Sequence, residues 1–175
     1  MGAALDHIAF VPCHSGNYGG LRLASDIRYL VYHCAGSDGD ARANSAQYYA
    51  DTLVHSSAHY FVSGGVVTQS VPDRYVAWAV GGRKRGDCAD TGGGRLHGVV
   101  TNGNSLSVEL CGAAPAAATL ANGAALGRLL MARYGIPVEN VVRHFDVTGK
   151  HCPAYFMDED RWAAFKARLT GENGS

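Results

Sequence analysis

Seven residues, Ser105-Leu106-Ser107-Val108-Glu109-Leu110-Cys111, constrain the fold more than any other stretch of the chain. They alternate in polarity, and successive side chains of a strand point to opposite faces. Leu106, Val108 and Leu110 therefore share one face, and Ser107, Glu109 and Cys111 the other. Pro115 to Tyr134 follows and reads as a long helix. Its apolar contacts come from Leu120, Ala124, Leu126, Leu129, Leu130 and Met131; Pro115 suits a first helical position and Gly135 ends it. The run Ile27-Arg28-Tyr29-Leu30-Val31-Tyr32-His33 reads as a buried strand, rich in branched and aromatic residues. Strands and helices succeeding one another in this way place the chain in the α/β class.

The other segments fit one domain. Residues 7–20 hold Pro12, Gly16, Gly19 and Gly20 and read as an arm with little regular structure. Asn44 to Val54 reads as a helix with Ala46, Tyr49, Ala50 and Leu53 on one face. Ser57 to Val62 and Val66 to Val71 read as a hairpin around Ser63-Gly64-Gly65. Val76 to Val80 is a further apolar segment, and residues 81–104 form the least regular part, of a length that usually marks function. Val138 to Phe145 reads as a short strand. Asp158 to Leu169 reads as a closing helix with Trp162, Phe165 and Leu169 inward. A chain of 175 residues is long enough for one sizeable core, so residues 1–170 are expected to be a single compact domain and 171–175 a disordered tail.

Charge and cysteine content exclude several classes. Lys+Arg 15 against Asp+Glu 15 gives no bulk charge for holding nucleic acid. Five scattered cysteines, an odd number, do not suggest a disulfide framework and point to synthesis in a reducing cytoplasm. The stretch Met1 to His7 has neither a basic region nor a long apolar run, so no signal peptide is expected. No apolar run approaches the roughly 20 residues that insertion into a membrane requires. Nothing in the sequence fixes an oligomeric state.

The chemistry concentrates in Arg143-His144-Phe145-Asp146-Val147-Thr148-Gly149-Lys150-His151-Cys152-Pro153, read as one short polar loop. Imidazole and thiolate together suit a borderline-soft cation such as zinc. His144 and Cys152 are two candidate ligands, and His33, at the end of its strand, is the best candidate for a third. In an extended segment Lys150 and Cys152 point to one side and His151 away. A fixed cation beside a metal ligand suits a reaction in which negative charge develops. Asp146 is a candidate support for a ligand histidine or for the loop itself.

Read in order, Val31-Tyr32-His33, Ser57-Ala58-His59-Tyr60-Phe61-Val62, Gln69-Ser70-Val71-Pro72, Ala77-Trp78, Ser107-Val108-Glu109-Leu110 and His144-Phe145-Asp146-Val147-Thr148-Gly149-Lys150-His151-Cys152-Pro153 resemble the zinc-dependent N-acetylmuramoyl-L-alanine amidases of the amidase-2 class, which share a fold with peptidoglycan recognition proteins. The similarity is closest to catalytic domains of phage and prophage endolysins. It implies a mixed central β-sheet flanked by helices. It implies zinc at His33, His144 and Cys152, with Glu109 as catalytic carboxylate and Lys150 as catalytic cation. The implied substrate is peptidoglycan, cut between the lactyl group of N-acetylmuramic acid and L-alanine. An enzyme of this kind, made without a signal peptide, reaches the wall by holin-type release or other export. His59 and Trp78 are candidate substrate contacts. The chain departs from the family in two places: many relatives have Trp-His-Ala-Gly where Trp78-Ala79-Val80-Gly81 stands, and some carry a catalytic tyrosine where His59 stands.

Glu109, flanked by Val108 and Leu110, would be costly to bury as an ion without a purpose. His7, His14, His55, His97 and His151 read as surface residues, and Cys34, Cys88 and Cys111 as structural thiols. Arg83-Lys84-Arg85 is either a solvated loop or a contact for anionic wall polymers. Two other functions compete. A non-catalytic recognition module on the same fold would have lost the cysteine ligand or its partners, all present here. A cysteine hydrolase built on Cys34 or Cys88 would stay active without a metal.

Overall fold

The computed structural model describes residues 8–37, 40–45 and 49–171. In chain order the elements are β1 (Ala9–Phe10), β2 (Tyr18–Leu21), β3 (Tyr29–Ala35), α1 (Ala41–Ser45), β4 (Tyr60–Val62), β5 (Val67–Gln69), β6 (Tyr75–Ala77), α2 (Cys88–Thr91), β7 (Ser105–Cys111), α3 (Ala117–Tyr134), β8 (Val141–Arg143), α4 (His144–Thr148) and α5 (Glu159–Thr170). Six strands form one mixed sheet in the order β1-β5-β4-β7-β3-β8, and β2 pairs with β6 in a separate ribbon. Strands β4, β7, β3 and β8 all run parallel, while β5 runs against β4.

The alternation of β7 sorts its residues as the sequence predicts. Leu106, Val108 and Leu110 join Leu30 and Tyr32 of β3 beneath Leu120, Leu126 and Leu130 of α3 and Trp162, Phe165 and Leu169 of α5. Helix α3 lies close to the sheet because Gly127 faces it: a Cβ there would stand 2.7 Å from Leu169 Cδ2 and nearer still to the Tyr32 hydroxyl. That hydroxyl donates to the Gly123 carbonyl at 2.9 Å, so a fully buried phenol is satisfied. The opposite face of the sheet carries a second core, Val31 and Val142 against Val80, Val100 and Val147, beneath the 78–104 segment and α4. That face also carries His33, Ser107 and Glu109.

Several expectations are corrected. The arm before residue 20 contains two strands, and Val11 and Cys13 extend the β1 pairing by donating to Gln69 and Ser70 carbonyls. Main-chain pairing of this kind leaves no side-chain pattern to read. The helix expected over Asn44 to Val54 begins earlier, at Ala41, and residues 51–54 are not helical; residues 46–48 lie outside the described residues. The fully buried Asn17 takes that backbone instead. Its amide donates to the carbonyls of Tyr49 (3.2 Å) and Thr52 (2.7 Å) and accepts from the N–H groups of Val54 (2.8 Å) and His55 (2.9 Å). Pro115 sits before the capping residue Ala116 rather than in the first turn of α3, and Leu129 is 38% exposed on its outer side. The strand expected over 138–145 is a 3-10 turn followed by β8, and residues 144–148 coil into α4. Of the expected tail, Gly171 caps α5 in the left-handed region and residues 172–175 lie outside the described residues. Among the described residues no helix is long and apolar enough to cross a membrane.

Candidate metal centre and active site

Parallel strands deliver their C-terminal ends to one edge of a sheet, and a site assembles there. His33 of β3 stands in register with Glu109 of β7. Strand β8 pairs with β3 on the other side, and its chain turns directly into α4, whose first residue is His144. Gly149 ends α4 in the left-handed region (φ 81°), with the Cys88 sulfur packed where a Cβ would project. The chain doubles back there, and the Cys152 carbonyl accepts from the Phe145 N–H at 2.9 Å. Cys152 is thereby returned beside His144. The segment read as one short polar loop is thus a buried helical turn followed by a return.

Arg143 holds this turn in place. It is 2% exposed. Its guanidinium donates to both oxygens of Asp146 (3.1 and 2.9 Å), to the Phe156 carbonyl (2.7 Å) and to Glu159 (2.8 Å). Asp146 also accepts from the Arg143 backbone N–H at 2.8 Å. Of the two roles expected for Asp146, it takes the second: it fixes the loop, through Arg143.

One ligand atom each from His33, His144 and Cys152 lie within 4.8 Å of one another. Cys152 Sγ is 4.0 Å from His33 Nδ1, and Glu109 Oε1 is 3.9 Å from the same nitrogen. Three buried atoms here have no hydrogen-bond partner among the described residues: His33 Nε2, His144 Nδ1 and Glu109 Oε2. Buried polar atoms are almost always paired, so three unpaired ones in one place mark a site made for something else. Two buried imidazoles and a buried thiol fit a divalent cation.

The electrostatics agree with that fit. Burial, with His144 and Lys150 adding to it, holds the His33 imidazolium well below its usual range, and burial with Lys150 lowers His144 to about 4. Both rings are therefore neutral near pH 7, the form that binds a metal. Burial, reinforced by Glu109, pushes the Cys152 thiol up to about 11, against the opposing pull of the Cys34 amide and Lys150. Burial lifts Glu109 to about 7, with Lys150 opposing. A carboxyl poised near neutrality suits proton transfer in either direction.

The sequence profile described as N-acetylmuramoyl-L-alanine amidase (Amidase_2) matches residues 23–155, a span that contains all five of these residues. The chain belongs to the Amidase_2 family. It is 30% identical over 171 residues to the N-acetylmuramoyl-L-alanine amidase CwlL of Bacillus licheniformis, covering 91% of the chain and 45% of that protein. A probable N-acetylmuramoyl-L-alanine amidase of the same organism is 29% identical over 170 residues. The chain spans about half the length of the curated relatives it matches. Among solved structures it resembles PlyL, with a TM-score of 0.75 at 26% identity over 95% of this chain and 99% of that one. The catalytic domain of XlyA matches with a TM-score of 0.72 at 26% identity over 93% and 99%.

In this Amidase_2 domain Lys150 is exposed, His151 turns away against the Phe145 ring, and Cys152 is buried. Lys150 and His144 border a cleft of about 620 Å³ whose walls include Trp78, Arg83, Arg85 and His55. A second cavity of similar size, about 640 Å³ beside Arg42 and Ser63, contains none of the ligands. Trp78 therefore stands where a substrate contact is expected. His59 does not: it is 1% exposed. Its Nε2 lies 2.7 Å from an Arg22 nitrogen and 3.1 Å from the Tyr75 carbonyl, and its Nδ1 accepts from the Ser107 N–H at 3.1 Å. Burial and then Arg22 push His59 down to about 3. His59 offers no surface to a substrate and instead ties β4 to β7.

Sequence reasoning missed three residues. Arg143 is buried and Arg22 half-buried, both turned inward, and nothing in a sequence announces an inward guanidinium. His55, read as a surface residue, is exposed but stands in the cleft, its ring stacked on Trp78 (6.4 Å between centroids, 28° between planes). Among the described residues it is the one non-glycine with positive φ, 52°.

Proposed function

We propose that this domain is a zinc-dependent amidase that hydrolyses the bond between the lactyl group of N-acetylmuramic acid and L-alanine in peptidoglycan. The observation that carries the proposal is the coincidence of the His33–His144–Cys152 cluster with the unpaired Glu109 oxygen beside it. Two imidazoles and a thiolate form a ligand set typical of catalytic zinc, with a fourth position open. Zinc bound there would acidify water and polarise a carbonyl.

The protein's own groups supply the rest. Glu109 takes the proton of the attacking water on its unpaired oxygen as the oxygen–carbon bond forms. It then gives that proton to the departing nitrogen as the carbon–nitrogen bond breaks. Lys150, at the cleft wall, stabilises the negative charge on the tetrahedral oxygen. Burial of both histidines keeps them neutral and available as ligands. Arg143 and Asp146 hold α4 still, so ligand positions do not drift. Trp78 contacts the substrate along the cleft. No covalent attachment to the enzyme is required. The relatives' amidase names support this reading, as does the presence of Cys152, Lys150 and Glu109, which a purely recognising module would not need.

Hydrolysis of purified peptidoglycan, read as new free alanine amino groups, tests the proposal before chelation, after it, and after zinc is returned. Activity lost and then restored, and lost in Glu109→Gln and Lys150→Ala, is the expected result. Activity indifferent to chelator would move attention to the cysteines as nucleophiles. Inactive protein that still holds zinc would make the domain a recognition module.

A further inference from the structure

The cleft beside His144 and Lys150 carries one sign of charge. Arg83, Arg85 and Lys150 line it, with His55 and His144, and among the described residues no carboxylate does. Among the described residues neither Arg83 nor Lys150 forms an ion pair. Arg85 reaches only Asp87, at 3.5 Å, with both side chains about half exposed. The backbone carrying these cations is pinned from several sides. The Arg85 N–H donates to the Thr148 carbonyl at 2.9 Å, His97 Nε2 meets the Gly82 carbonyl at 3.2 Å, and Asn102 Oδ1 accepts from Ala79 and Val80. Two unpaired cations and one weakly paired one on a fixed backbone form a standing positive potential that concentrates anions.

This inference rests on the amidase reading. The bond cut there joins two unlike halves. The glycan half is built of uncharged N-acetyl sugars, and the lactyl carboxyl is consumed in the amide itself. Only the peptide half carries free carboxylates. We propose that residues 81–85 form the peptide side of the site, where Arg83 and Arg85 select stem peptides that bear a free carboxylate beyond the first alanine. Guanidinium groups suit this task because their planar fork matches a carboxylate with two parallel hydrogen bonds. The assignment also orients the substrate: the stem peptide runs from the metal centre across Lys150 towards Arg83. A phosphate-bearing wall polymer would meet the same cations, but it is not continuous with the scissile bond, and this cleft begins at a metal ligand.

The test uses a series of soluble muramoyl tripeptides in which each free carboxylate is replaced in turn by a carboxamide. The zinc-loaded protein is expected to lose on the order of tenfold in kcat/KM, mainly through KM, for one of the replacements. That preference should shrink as salt rises and approach unity in the Arg83→Gln, Arg85→Gln double variant. Equal rates on every member of the series by the wild-type protein would overturn the proposal while leaving the amidase reading intact, and need no variant to fold. A preference that survives in the double variant would also overturn it. So would an arginine effect seen only on walls that retain phosphate polymers, which would give the cations to those polymers. If neither the soluble series nor whole peptidoglycan is cut, the amidase reading itself fails and the subsite with it.

Discussion

The affinity of the His33–His144–Cys152 site for a divalent cation should rise with pH, and the slope should count the protons released. Between about pH 7.5 and 9 both imidazoles are already neutral, because burial holds His33 low and His144 near 4. The Cys152 thiol, lifted to about 11, is still protonated there. A metal takes the thiolate, so one proton leaves with each cation bound. The dissociation constant then falls about tenfold per pH unit, or about 1.4 kcal/mol. An ordinary thiol near pH 8.5 would let this slope fade above that point; a thiol at about 11 keeps it straight through pH 9. Below about pH 7 a second proton joins, because Glu109 is lifted to about 7 and an arriving cation expels its proton. The slope should therefore steepen towards two in acid, and Glu109→Gln should restore it to one. Competition against a chromophoric chelator at several pH values gives the affinity. Calorimetry in two buffers of different ionisation enthalpy counts the protons directly. No pH dependence between pH 7.5 and 9 would refute thiol ligation. A slope of two that persists in Glu109→Gln would mean that a histidine is protonated in the free site.

Three further outcomes follow from packing and charge. Arg143→Ala strands the buried Asp146 carboxylate and should cost about 3–5 kcal/mol in denaturant unfolding; a loss under about 1 kcal/mol would remove its keystone role. His59 is held neutral in the fold at about 3, below the roughly 6.5 of an unfolded histidine. The unfolded chain therefore takes up a proton that the fold refuses, and stability drops as pH falls from about 6.5 towards 3. His59→Gln should lower the pH slope of stability by about one proton between about pH 4 and 6, and equal slopes in the two proteins would contradict the assignment. Gly127→Ala places a Cβ against the Tyr32 hydroxyl and Leu169 and should cost about 1–3 kcal/mol of thermal stability, whereas a neutral result would mean that α3 can lift from the sheet without loss.

The parts of the fold that lay open in the sequence are those where side-chain pattern and burial coincide. Strand β7 runs over the residues its alternation marks, and α3 ends on the glycine expected to end it. His33, His144 and Cys152, singled out as candidate ligands by residue type and position, are brought within 4.8 Å of one another by the fold. What stayed hidden was decided by main-chain pairing or by polar groups turned inward. Strands β1 and β2 pair through N–H and C=O groups that no side-chain period records. The helix expected over Asn44 to Val54 gave way to Asn17, more than 30 residues distant, whose single amide satisfies four backbone groups. His59, a candidate substrate contact, is instead packed inside the fold, where burial and then Arg22, 37 residues away, keep its ring neutral, and only the fold brings the two together.

The described residues contain no disulfide: all five cysteines are free. Yet the candidate ligands lie far apart along the chain, with Cys152 and His33 separated by 119 residues. A cation held by both closes most of the domain into a loop, as a covalent cross-link would. Closing a loop of about 100 residues removes enough freedom from the unfolded chain to be worth roughly 4–5 kcal/mol on a chain-entropy estimate. With a cation bound, the proposed site would act as a reversible staple as well as a reaction centre. Its strength depends on free metal, so an enzyme sent into a metal-poor surrounding would lose endurance together with activity.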